Sequence, residues 1–219
     1  MPLKPILNGT NIALVAVFAA LTAVSTLPPE FTLAAGVPLS LQTLAVVLAG
    51  LVLGAWRGAA AITLYLVVGI SGAPIFSNAG AGWAYFTGAT GGFLWSFPLA
   101  AFVVGWLAER VRAQIAGVTD WTAFLGAGLV SIPLIYAVGV PWLAHFTGLP
   151  LLNAPDGGTT AVSAGLTPFI AGDVIKVFAA ASVAAAIHRA FPQVLSAHGG
   201  LFAGAVSTPT RSKAAKVAA

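Results

Sequence analysis

The sequence predicts an all-α integral membrane protein with six transmembrane helices and with both termini in the cytoplasm. Three observations support this prediction. Only 6% of the 219 residues are charged, 59% are hydrophobic, and the mean hydropathy is +0.99, whereas a soluble domain carries about 25% charged residues. Six apolar stretches approach the length of about 20 residues that crosses a bilayer core. The basic residues outside these stretches fall on one side of the predicted membrane topology.

The predicted spans follow one another between breaks that are rich in Pro and Gly. Residues 28–29 and 36–38 separate the first two spans, and residues 54–58 separate the next two. Spans two and three are short, which allows a tilted or interfacial placement. The six spans cover residues 11–27, 39–55, 57–72, 91–110, 121–146 and 167–190.

Basic residues set the predicted orientation. With a cytoplasmic N-terminus no Lys or Arg falls outside, and the long external loops 73–90 and 147–166 contain none. Lys176 is the basic residue that lies within a span. The other basic residues all fall inside: Lys4, Arg57, Arg110, Arg112, Arg189, Arg211, Lys213 and Lys216.

We predict one membrane domain over residues 1–192 and a disordered cytoplasmic tail over 193–219, which is rich in Ala, Gly, Ser and Lys. Residues 1–27 resemble a signal peptide, but they lack a small-residue cleavage site. We therefore interpret them as containing the first permanent span.

Composition excludes several classes of function. Without cysteine the chain can form neither disulfides nor thiolate metal sites. The net charge of +4 flanks apolar spans, which argues against a nucleic-acid partner. Neither a phosphate-binding G-x-x-x-x-G-K-[ST] loop nor an aspartate-rich magnesium motif occurs. The histidines His145, His188 and His198 lack metal-ligand spacing. We therefore expect no catalytic residues, metal or cofactor.

The last span contains two charged residues, Asp173 and Lys176. A charge at the centre of a membrane helix costs roughly 2.5–3.5 kcal/mol on insertion scales. Residues three apart share a helical face, so each charge partly offsets the other. The pair predicts a polar pocket, in which Asp173 accepts and Lys176 donates hydrogen bonds. The alternative is an ion pair that only fixes helix packing.

The external loop 73–90 is uncharged and contains four aromatic residues together with Asn78. Loops longer than about 12–15 residues are usually functional or disordered, and the aromatic content favours a function. The alternative is an aromatic belt at the lipid headgroups. Gln42 is a polar amide near the same end of span two, where a solvated side chain is the alternative.

Span one places small residues four apart, at Ala16 and Ala20. Such a face allows another helix to approach closely, although alanine is common enough here for chance to produce the pattern.

Five segments in this order resemble the BioY family, the biotin-specific S components of energy-coupling factor (ECF) vitamin transporters. The resemblance covers roughly residues 10–190. The segments are Val37-Pro-Leu-Ser-Leu-Gln-Thr-Leu-Ala, Leu51-Val-Leu-Gly-Ala-Trp-Arg-Gly-Ala, Gly72-Ala-Pro-Ile-Phe, Gly91-Gly-Phe and Gly172-Asp-Val-Ile-Lys.

The resemblance implies a six-helix S-component bundle in the cytoplasmic membrane of a prokaryote. It implies that the bundle captures biotin from outside under a lid formed by loop 73–90. Separate transmembrane coupling and ATPase subunits would act with it, and Ala16 and Ala20 would contact the coupling subunit. The implied biotin-binding residues are Asp173, Lys176, Asn78 and Gln42, and we add Trp83, Tyr85 and Phe93 as cover for the apolar part of the ligand.

Several alternatives stay open from the sequence. The chain could be an S component for another vitamin, a carrier that acts alone, or a purely structural membrane protein. A membrane-embedded enzyme could use Asp173 as a base and Lys176 as a cation, but the sequence lacks a nucleophile–base set. The residue that meets the biotin carboxylate is also left open.

Overall fold

The computed structural model describes residues 9–27, 31–32, 38–114, 119–154 and 157–191, and these are mainly helical. The predicted tail over 193–219 lies outside the described residues. Two short strands, β1 (Phe31–Thr32) and β2 (Pro38–Leu39), pair antiparallel. The helices are α1 (Gly9–Val24), α2 (Gln42–Leu53), α3 (Ala55–Ile70), α4 (Gly82–Phe86), α5 (Gly91–Gln114), α6 (Asp120–Leu129), α7 (Ser131–Thr147), α8 (Ala161–Gly165) and α9 (Ile170–Ala190). The predicted helical class is confirmed, and the strand pair is an addition to it.

Three helical segments of the described chain are long and apolar enough to cross a membrane: Gly91–Arg112, Asp120–Thr147 and Ala161–Ala190. They coincide with the last three predicted spans. The first three predicted spans correspond to the shorter apolar helices α1, α2 and α3. At 1.5 Å per residue, the 16 residues of α1 cover only about 24 Å. The count of six spans therefore stays a prediction.

Proline divides the segment that was predicted as a single fifth span. α6 ends at Leu129 and α7 starts at Ser131. Pro133 lies in the first turn of α7, and it has no N–H to donate to the carbonyl four residues earlier. Pro168 likewise precedes α9, so the sixth predicted span starts as helix at Ile170 and follows the short helix α8.

The core is built around α2, which buries ten of its 12 residues and packs against α5, α9 and α3. Small residues permit these contacts. A Cβ added to Gly50 would lie 2.5 Å from the carbonyl oxygen of Ala101 on α5, and one added to Gly105 would lie 2.5 Å from the amide nitrogen of Ala55. Backbones this close exclude any larger side chain.

Charged residues gather at one end of the bundle. Arg112 Nε donates to Asp120 Oδ1 at 2.8 Å, and His188 Nε2 lies 3.0 Å from the carbonyl oxygen of Leu51. Glu109 Oε1 accepts from the first amide of α3 at 3.3 Å. These contacts join the C-terminal ends of α2, α5 and α9 to the N-terminal ends of α3 and α6.

Helix α1 turns one face to the bundle and leaves another uncovered. Phe18, Ala19 and Thr22 are buried, and α1 packs mainly on α3. Ala16 and Ala20 are exposed. The small residues at these positions therefore lie on a face that neighbouring helices of the described chain leave open.

We expect Gly50→Ala to lower the free energy of unfolding by about 1–3 kcal/mol, because the added methyl group overlaps the Ala101 carbonyl. The measurement is thermal unfolding of the purified protein in detergent. Gly126→Ala, in α6, is the matched control, since its Cβ would meet nothing within 4 Å. Equal melting temperatures for the two variants would contradict the close packing of α2 on α5.

Candidate functional site

A cavity of about 560 Å³, including its mouth, lies at the end of the bundle opposite the Arg112–Asp120 ion pair. Its wall combines the starts of α2, α5 and α9 with α7 and the loop 73–90. The lining residues are Ser40, Gln42, Thr43, Ser77, Tyr85, Thr90, Phe93, Leu94, Phe97, Ile135, Tyr136, Gly165, Phe169, Asp173 and Lys176.

Asp173 is the polar centre of this wall. Its Oδ1 accepts hydrogen bonds from Lys176 Nζ and from Thr43 Oγ1, each at 2.9 Å, and its Oδ2 accepts from the Tyr136 hydroxyl. The residue is 6% exposed. Because a carboxylate offers about four lone-pair sites, these donors leave about one acceptor site, on Oδ2.

Lys176 completes a nearly neutral pair, which explains how two charges are tolerated in an apolar helix. Its ammonium group has three N–H donors. Among the described residues the structure gives it one acceptor, Asp173. Two N–H donors of Lys176 are thus available to a ligand or to water, whereas the neighbouring Asp173 carboxylate has most of its hydrogen-bond partners within the protein.

A second, smaller cavity of about 220 Å³ borders the same pair. It shares Thr43, Ile135, Tyr136, Asp173 and Lys176 with the first cavity and is closed by Val47, Ser131, Ile132 and Val177. The ion pair therefore stands between the main cavity and the apolar interior around α2 and α7.

Gln42, at the first position of α2, is held by its neighbours. Its Oε1 accepts from Ser40 Oγ at 2.9 Å and from Ser77 Oγ at 2.8 Å, and its Nε2 donates to the Tyr65 hydroxyl. The residue is 5% exposed. Both oxygen lone pairs are therefore used, and one amide N–H has no partner in these three contacts.

The structure brings five of the sequence-predicted site residues to the cavity and leaves two beside it. Asn78 follows the lining residue Ser77 and is itself not part of the lining, and Trp83 is 63% exposed and also not part of it. The five in the lining are Asp173, Lys176, Gln42, Tyr85 and Phe93.

Sequence reasoning missed Thr43, Tyr136 and Ser77. Thr43 follows Gln42 in the segment that begins at Val37, and a hydroxyl next to a predicted site residue could have indicated it. Tyr136 lies in an apolar span, and a buried phenol usually needs a hydrogen-bond partner. That rule singles out the residue, but it does not identify Asp173 as the partner.

Known proteins resemble this chain over most of its length. Residues 2–193 match the family model for the BioY family. "Biotin transporter BioY" of Rhodobacter capsulatus is 39% identical over 191 residues, which are 86% of this chain and 98% of that protein. "Biotin transporter BioY" of Rhizobium etli is 37% identical over 189 residues, or 85% and 97% of the two chains.

A solved structure supports the same fold. The crystal structure of the S-component for biotin from an ECF-type ABC transporter superposes with a TM-score of 0.70. It is 23% identical and covers 86% of this chain and 95% of its own. On the evidence of the family match and of these relatives, the chain belongs to the BioY family.

Proposed function

We propose that this chain takes up biotin across the cytoplasmic membrane as the biotin-capture S component of an ECF-type transporter. The observation that carries the proposal is the cavity built around Asp173 and Lys176 in a chain whose relatives are named biotin transporters. Those names identify transporters, and this favours transport over the alternative of a membrane-embedded enzyme.

The polar groups of the cavity complement the bicyclic head of biotin, which presents two ureido N–H donors, one carbonyl acceptor and a thioether beside apolar carbon. The remaining acceptor site of Asp173 takes one N–H, and Lys176 donates to the carbonyl. Phe93, Tyr85 and Phe169 cover the apolar carbon. We propose that Gln42 contributes to biotin binding indirectly, because its hydrogen bonds hold Ser40 and Ser77 in the cavity wall.

Asn78 and Trp83 belong to the loop 73–90, and in this proposal they join the ligand contacts when their side chains turn towards the cavity. Tyr85 and Ser77 of the same loop already line the cavity, so this change needs no movement of the backbone of residues 76–80.

We further propose six spans with both termini in the cytoplasm of a prokaryotic cell. Three arginines lie at the end of the bundle away from the cavity: Arg57 at the start of α3, Arg112 at the end of α5 and Arg189 at the end of α9. They support this orientation, because cytoplasmic ends carry an excess of basic residues. The cavity then opens to the outside, where a captured vitamin enters.

Because the sequence contains no phosphate-binding loop, ATP-driven uptake requires other subunits. We propose that transmembrane coupling and ATPase subunits of an ECF module supply it. The exposed Ala16 and Ala20 of α1 are the proposed contact with the coupling subunit, because a small-residue face lets another helix pack closely.

Direct binding of labelled biotin to the purified chain in detergent tests the proposed function. We expect saturable binding by the wild-type chain and at least tenfold weaker binding by Asp173→Asn and by Lys176→Met. Hydrogen bonds to charged groups contribute about 1.5–3 kcal/mol, and each factor of ten corresponds to about 1.4 kcal/mol.

The matched control is Asp120→Asn, which makes the same change in the exposed ion pair with Arg112 and should leave biotin binding unchanged. A folded wild-type chain that binds no biotin would refute the proposed function. Full affinity in both pocket variants would move the site away from α9.

Single cysteines test the proposed topology, because the natural chain has none. Ala84→Cys and Asn153→Cys lie at exposed positions of the loops 73–90 and 147–166, and Thr10→Cys lies at the exposed start of α1. A membrane-impermeant maleimide should label the first two in intact spheroplasts and the third only after permeabilisation. Labelling of Thr10→Cys in intact spheroplasts would contradict the cytoplasmic N-terminus.

Co-purification with coexpressed coupling and ATPase subunits tests the proposed face of α1. Ala16→Leu and Ala20→Leu should reduce recovery of the complex several-fold, since larger side chains keep helices apart, while biotin binding by the isolated chain persists. Ala179→Leu, at an exposed alanine of α9, is the control. Undiminished recovery of both α1 variants would exclude this face, and biotin uptake without any partner would favour a solitary carrier.

A further inference from the structure

A chain of hydrogen bonds joins four parts of the molecule beside the cavity. Ser77 donates to Gln42 Oε1 at 2.8 Å, and Gln42 Nε2 donates to the Tyr65 hydroxyl. That hydroxyl donates to the carbonyl oxygen of Ile75 at 3.2 Å. The Thr26 hydroxyl donates mainly to the Ala23 carbonyl at 2.7 Å and lies 3.2 Å from the same Ile75 oxygen, as the longer branch of a bifurcated bond. Loop 73–90 is thereby tied to α2, to α3 and to the segment after α1.

Residues 76–80 form a tight turn, which we call the 76–80 turn. The Gly80 amide donates to the Ser77 carbonyl at 3.0 Å, and the Phe76 amide donates to the Gly80 carbonyl at 2.9 Å. Its central residues Asn78 and Ala79 have φ of 53° and 55°. A left-handed conformation is unfavourable for alanine, and such a conformation persists when its surroundings hold it.

Two of the contacts that hold this turn involve Phe76 and Ser77. The Phe76 ring is fully buried and packs edge-on against Tyr65 and stacked on Tyr85, with ring centroids 5.5 and 5.4 Å apart. It occupies the space beside Gly69, where an added Cβ would lie 2.3 Å from the ring. The second contact is the hydrogen bond from Ser77 to Gln42.

We propose that Gln42 and Tyr65 are positioning residues that hold the 76–80 turn against the cavity through Ser77, and that this hydrogen bond sets how fast a ligand enters and leaves. Ser77 lines the cavity from the loop, whereas most of the remaining wall is helical. Opening at the turn therefore exposes the cavity while the helix packing stays intact. The identity of the ligand rests on the proposed function, but the contact between loop and α2 does not.

This role predicts a kinetic pattern that a ligand contact would not produce. If the hydrogen bond from Ser77 to Gln42 keeps the turn against the cavity both with and without ligand, loss of this bond speeds ligand association and dissociation by the same factor. Loss of a direct ligand contact speeds dissociation alone and weakens affinity.

The primary experiment is hydrogen exchange of the full chain in detergent, read by mass spectrometry on peptides that contain Phe76 and Gly80. Ser77→Ala should raise the exchange of these two amides by about 2–10-fold, the range expected for loss of one hydrogen bond. Ser71→Ala is the matched control, because its hydroxyl bonds within α3, to the Val68 carbonyl at 2.7 Å. Tyr65→Phe keeps the ring against Phe76, removes the hydroxyl's bonds to Gln42 Nε2 and to the Ile75 carbonyl and should also raise the exchange of these amides.

The second measurement gives the rates of biotin association and dissociation for the same variants. Both rates should rise together in Ser77→Ala, by the same factor as the exchange, with Kd changed less than about threefold. Unchanged exchange in Ser77→Ala and Tyr65→Phe would overturn the proposal, as would faster dissociation alone. A wild-type chain that binds no biotin would refute the proposed function, while hydrogen exchange would still decide whether the turn is held by Gln42.

Discussion

Burying a carboxylate and an ammonium group inside an apolar bundle is the constraint on which the site depends. Both groups are largely shielded from water there, so most of the partners of each charge must come from the protein. Asp173 solves this with donors from three helices: Thr43 on α2, Tyr136 on α7 and Lys176 on its own helix. Meeting the needs of one carboxylate therefore brings α2, α7 and α9 into a common arrangement around the cavity.

Polar groups lie at both ends of the bundle, and their contacts differ between the two ends. At one end, ion pairs and caps close the helix termini, as Arg112 does with Asp120. At the other end, the polar groups face a cavity, and Lys176 keeps donors that the described residues do not use. Close backbone contacts of Gly50 with Ala101 and of Gly105 with Ala55 hold α2 and the start of α3 against α5.

Much of the site could be predicted from sequence because its centre is local. Helical spacing alone places Asp173 beside Lys176, and they lie three residues apart in one helix. The other donors could not be predicted, since Thr43 and Tyr136 are 130 and 37 residues away from Asp173 in sequence. Periodicity also missed the two-residue strands and the interruption before Ser131, which follow from pairing and from proline chemistry over very short segments.

The burial of α2 changes the meaning of its apolar sequence. Because ten of its 12 residues are buried by other helices, this helix is solvated by protein instead of by lipid. Its length then need not match the thickness of the bilayer, and its residues are selected for the shape of their neighbours. A hydropathy profile treats both environments alike. The helix that provides Gln42 and Thr43 to the cavity is thus a central, buried helix, and the other helices pack around it.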